Sequence, residues 1–158
     1  MPRPQFTRLL PLTNLQQTLT QTMIMEISPG SGDPRVTQRP LVLAVDDNED
    51  NLELISFSLD LFGFAFISAS DGKTTLHLAR THQPDLILLD IMLPDFDGIE
   101  IIRILKQDEG TKSIKIIALT ALAREDDRQR ILESGCEDYI SKPYMVDELE
   151  ALLRRYLT

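Results

Sequence analysis

From Leu41 onward the chain alternates short, almost wholly apolar runs with longer segments whose apolar residues recur at helical spacing. "LVLAV" (41–45), "DLILLD" (85–90) and "IKIIAL" (114–119) are the apolar runs. A strand that is apolar on both sides must be covered on both sides, which is the situation of a parallel sheet with helices on each face. "FAFISA" (64–69) and "DYIS" (138–141) read as two further strands. The segment 49–62 places Leu52, Ile55, Leu59 and Phe62 on one helical face, and Gly63 stands where a left-handed residue ends a helix. The same spacing predicts helices over 73–81, around Ile99, Ile102 and Leu105 or Lys106, over 124–134 before Gly135, and over 146–157 with Val146, Leu149, Leu153 and Tyr156 aligned. Five strands alternating with five helices through right-handed crossovers leave only a few α/β topologies, all doubly wound parallel sheets. In such sheets a ligand sits outside the carboxyl ends of the strands, at a switch point in strand order.

A chain of 158 residues has room for one such domain, expected over residues 40–158. Residues 1–39 differ from the rest: they include Pro2, Pro4, Pro11, Pro29 and Pro34 and the turn-rich "SPGSGDP". Only "NLQQTLTQTMIM" there permits a short helix, with Leu15, Leu19 and Met23 as a narrow stripe, and the segment reads as a flexible N-terminal extension. Residues 1–40 hold four basic and two acidic side chains, so the other twelve basic residues face twenty-three acidic ones beyond residue 40. A domain this acidic is repelled by phosphate backbones, which argues against direct nucleic-acid binding and for protein partners. No apolar run approaches the roughly 18 residues of a membrane span. The one cysteine, Cys136, has no intramolecular partner, and a cytoplasmic location is the expectation.

The strand ends carry the chemistry. The first strand runs into Asp46 and Asp47, the third ends in Asp90, the fourth in Thr120, and the fifth leads into Lys142 and Pro143. Carboxylates gathered at one sheet edge raise one another's pKa values unless a cation joins them. A hard divalent ion such as Mg²⁺ suits that need, since it uses one or two carboxylates, waters and a phosphate oxygen.

"DD" at 46–47, "DIMLPDFDG" at 90–98, "ALTA" at 118–121 and "DYISKP" at 138–143 occur in this order. Together they resemble the receiver domain of two-component response regulators, over about residues 41–157. The resemblance implies a five-stranded sheet of order 2-1-3-4-5. It also implies that Asp90 accepts a phosphoryl group and that Mg²⁺ is held by Asp47, Asp90 and the backbone carbonyl of Met92, with Asp46 assisting through water. Thr120 and Lys142 would bind phosphoryl oxygens, with a cis peptide between Lys142 and Pro143. The implied partners are a histidine kinase or histidine phosphotransfer protein and a downstream target protein. That target would be met by helix four, strand five and helix five, where Tyr139 turns inward as Thr120 moves. Met92 and Leu122, two positions after Asp90 and Thr120, would flank the path of attacking water.

Two other classes share some of these features. A haloacid-dehalogenase-like phosphatase also uses an aspartyl nucleophile and Mg²⁺, but it needs a second Asp where this chain has Met92. A degenerate receiver acting only as a scaffold would lack a pocket residue, and every one is present. The sequence ends soon after helix five, so signalling by binding is expected, without a DNA-binding or catalytic output domain and without enzymatic turnover.

Overall fold

Each apolar run forms a strand and each periodic segment a helix in the computed structural model, which describes residues 39–121 and 124–158. The order is β1 (Leu41–Val45), α1 (Glu49–Phe62), β2 (Ala65–Ala69), α2 (Gly72–His82), β3 (Leu86–Asp90), α3 (Gly98–Gln107), β4 (Lys115–Thr120), α4 (Glu125–Glu133), β5 (Asp138–Ser141) and α5 (Val146–Leu157). Pro40–Thr158 cluster as one unit. The expectations for residues 1–38 lie outside the described residues, as does Leu122. Among the described residues no helix is long and apolar enough to cross a membrane.

The strands form one parallel sheet in the order β2-β1-β3-β4-β5. Both faces are covered. Leu43, Val45, Ile87, Leu89, Ile116 and Ala118 point to the side packed by α2, α3 and α4, through Ala79, Ile102, Leu105 and Ile131. Val42, Ala44, Leu86, Leu88, Ile117 and Leu119 point to the side packed by Ile55 and Leu59 of α1 and Leu149 and Leu153 of α5. Each large side chain buried this way contributes about 1.5–3 kcal/mol, which is why the inner strands contain so little else.

Local signals set where the helices begin and end. Asn48 caps α1 by accepting the Asn51 N–H, and Gly63 closes it at φ 90°. Asp71 caps α2 and Asp97 caps α3. The end of α2 was not signalled by a glycine: Gln83 takes the left-handed conformation at φ 49°, and Pro84 follows it. On α4, Ile131 is buried but Leu132 is 45% exposed, because consecutive positions on one helix turn away from each other. The Arg124 side chain makes no capping bond at its start, and Ile131 is the one fully buried side chain of α4.

Candidate functional site

Strand register brings the site together. Val45 pairs with Leu89, Asp90 with Leu119, and Thr120 with Ser141. The residues that end or directly follow these strands, Asp46, Asp90, Thr120 and Lys142, therefore share one edge of the sheet. This edge includes the switch point between β1 and β3, where the chain reverses its direction of winding.

Asp46 is 1% exposed and fully engaged. Its Oδ1 accepts the Asn48 N–H at 2.9 Å, and its Oδ2 accepts from Asn51 Nδ2 at 3.2 Å and from Lys142 Nζ at 2.9 Å. Asp90 is 5% exposed; its Oδ1 accepts the Met92 N–H at 2.9 Å and its Oδ2 accepts from Lys142 Nζ at 3.1 Å. Asp47 is exposed, and one carboxylate oxygen from each of Asp46, Asp47 and Asp90 lies within 4.8 Å of the others. Thr120 is buried at the end of β4, where its carbonyl accepts the Lys142 N–H at 2.7 Å. The peptide from Lys142 to Pro143 is cis, as expected. Met92 turns its N–H to Asp90 and leaves its side chain in solvent, 60% exposed.

The charges depend on one another. Burial pushes the Asp90 carboxyl above its ordinary value, although the Met92 N–H and the Lys142 ammonium pull it back. Burial also draws Lys142 down, but the carboxylates of Asp46 and Asp90 outweigh it and hold the ammonium above its usual range. One ammonium among three carboxylates leaves negative charge uncompensated at a site built of hard oxygen donors. That donor set fits Mg²⁺.

Three supporting residues were not singled out by the sequence reading. Asn51, in the first turn of α1, fixes Asp46 through its side-chain amide. Asp95 accepts the N–H groups of Gly72 and Lys73 at the start of α2. Gly98 lets α3 begin directly against β3: its N–H bonds the Ile91 carbonyl at 2.9 Å, and a Cβ there would stand 2.5 Å from Ile91 Cα. Asn51 a few residues after "DD", and Asp95 and Gly98 inside "DIMLPDFDG", were the available signals, but residue type alone did not show what they touch. The helix reading of α1 also left a second stripe unremarked. Leu54, Phe57 and Leu61 face solvent at 59%, 67% and 69% exposure.

An acidic cluster and a lysine at the switch point of a β2-β1-β3-β4-β5 sheet define a receiver. The chain belongs to the response regulator receiver domain family, whose model matches residues 42–154. Within it, the chain is similar to the polar-differentiation response regulator DivK of Brucella ovis, 43% identical over 116 residues that cover 73% of this chain and 94% of that protein. DivK of Brucella anthropi is 42% identical over the same coverage. Among solved structures, the receiver domain of a sensor histidine kinase from Pseudomonas aeruginosa PAO1, with a magnesium ion coordinated in its active-site cleft, superposes with a TM-score of 0.70. It is 34% identical, over 75% of this chain and 97% of that one.

Proposed function

We propose that this chain is the phosphoacceptor of a two-component phosphorelay, phosphorylated on Asp90 with Mg²⁺ bound and signalling by protein–protein binding. The observation that carries this reading is the Lys142 ammonium bridging Asp46 and Asp90 at 2.9 and 3.1 Å, with Asp47 beside them. Asp90 attacks the phosphorus of the donor, forming an acyl phosphate as the bond to the donor breaks and the donor leaves with its electron pair. No general base is needed, because the attacking group is a carboxylate. Positioning and charge neutralisation supply most of the catalysis in such transfers. Mg²⁺, held by Asp47, Asp90 and the Met92 carbonyl with Asp46 assisting, would neutralise charge on the phosphoryl oxygens. Lys142 shares that role, and the Thr120 hydroxyl takes up a phosphoryl oxygen after transfer. The product is a modified protein, so the chain acts as a signalling component and does not turn over a substrate.

The donor is a histidine kinase or histidine phosphotransfer protein in the cytoplasm. The exposed stripe of Leu54, Phe57 and Leu61 on α1, which starts three residues after Asp46, offers it an apolar footing beside the site. The target protein reads the face of α4, β5 and α5. The single buried anchor of α4 and the half-buried Tyr139 on β5 support this choice, since both can shift at low cost.

Incubation with Mg²⁺ and a small acyl phosphate should add one phosphoryl mass. The reading fails if Asp90→Asn labels as well as wild type. Phe57→Asp should slow transfer from a protein donor while leaving small-molecule labelling unchanged. Residues 40–158 should suffice for labelling, because every residue assigned a role in the transfer lies from Asp46 to Lys142.

A further inference from the structure

Asp95 sits at the tip of the loop between β3 and α3. Its side chain faces solvent, yet both of its oxygens are used: Oδ1 accepts the Gly72 N–H at 2.7 Å and Oδ2 the Lys73 N–H at 3.0 Å. The helix cannot satisfy the N–H groups of its own first turn. At α2 three consecutive ones are taken by two carboxylates, the local Asp71 on Thr74 and the distant Asp95 on Gly72 and Lys73. The Gly72 N–H, foremost, holds the Asp95 carboxyl below its ordinary range. Phe96 closes over the same point: a Cβ on Gly72 would stand 2.7 Å from Phe96 Cδ2.

The base of this loop is pinned separately. Asp90 Oδ1 accepts the Met92 N–H, the Ile91 carbonyl accepts the Gly98 N–H, and Met92 and Asp97 form an isolated antiparallel bridge. The segment is thus held at its base, where the Met92 peptide meets Asp90, and at its tip by α2.

We infer that Asp95 is a positioning residue: by tying the loop tip to the start of α2 it holds the Met92 peptide against Asp90, and so sets the affinity of the acidic site for a divalent cation. Its effect on phosphoryl transfer rests on the phosphoacceptor reading above. Its effect on cation binding does not. A residue bonded directly to a metal ligand commonly contributes roughly 10- to 100-fold in affinity; Asp95 acts through the loop backbone, so the lower end of that range is expected.

The test uses the full chain as wild type, Asp95→Ala and Asp95→Asn. Mg²⁺ affinity is measured by calorimetry, the Met92 amide by NMR without metal, stability by thermal melting, and labelling with a small acyl phosphate. Asp95→Ala should weaken Mg²⁺ binding roughly tenfold and move the Met92 amide resonance. Asp95→Asn, which keeps an acceptor for Gly72, should fall between. If Asp95→Ala melts lower but binds Mg²⁺ as wild type does, the residue only stabilises α2 and the inference is overturned. If wild type binds Mg²⁺ but is never labelled, the phosphoacceptor reading fails, and the affinity of Asp95→Ala still decides the role of Asp95. If wild type binds no Mg²⁺, both are lost.

Discussion

Lys142 Nζ stands 3.1 Å from Asp90 Oδ2, although 52 positions separate the two residues in the chain. The same nitrogen reaches Asp46, so its removal would leave two buried carboxylates facing each other without a counter-charge. Lys142→Ala should cost about 1–3 kcal/mol in metal-free urea denaturation, the usual penalty for stranding buried polar groups, with Mg²⁺ restoring part of it. Labelling of Asp90 should slow at least roughly tenfold, equivalent to ~1.4 kcal/mol of barrier. Unchanged stability and labelling would show that the lysine is a bystander.

Met92 places an exposed thioether two residues after Asp90, where a polar group could orient attacking water. A thioether cannot do so, and neither can the isobutyl group of Leu122. Met92→Asn combined with Leu122→Glu should hasten loss of phosphate from Asp90 in Mg²⁺ by roughly tenfold or more. Loss at the wild-type rate or slower would sink this account of phosphoryl lifetime.

Gly98 leaves no room for a side chain, since its Cβ would press on Ile91 backbone atoms that cannot swing aside. Gly98→Ala should lower stability by about 1–3 kcal/mol, as overpacking does in a closely fitted core, and shift the urea midpoint with little change in slope. A midpoint equal to that of wild type would mean that the turn relaxes freely.

Burial, aided by Glu137 and Asp138, pushes the Cys136 thiol up to about 11. The thiolate is the nucleophile, so alkylation by iodoacetamide near pH 8 should run roughly 100-fold slower than in the urea-unfolded chain and rise with pH toward that value. The linkage has a definite sign. Between the ordinary thiol value and about 11 the unfolded chain has released this proton and the folded one has kept it, so this group lowers stability as pH rises through that window. Alkylation at equal rates in the folded and unfolded chains would refute the burial argument.

The sequence by itself determined the layers and their order. Apolar runs such as "LVLAV" cannot serve a half-exposed sheet, and the spacing of Ile55 and Leu59, or of Leu149 and Leu153, admits only helices packed on it. It also determined that Asp46, Asp90, Thr120 and Lys142 share an edge, because in a parallel sheet every strand delivers its carboxyl end to the same side. Tertiary structure decided what those residues touch. Which oxygen of Asp46 meets Lys142, and that Asn51 shares it, depends on side-chain placement across 96 and 5 positions of chain, which periodicity does not encode. The two faces of α1 show the same division: the pattern revealed the buried stripe, while only the packed fold shows that, among the described residues, Leu54, Phe57 and Leu61 are left facing solvent. In the sequence Asp95 stands in a loop between Pro94 and Gly98 with no partner nearby in the chain to mark it. Only the approach of α2, brought alongside by winding on the same face as α3, gave its carboxylate two amides to hold.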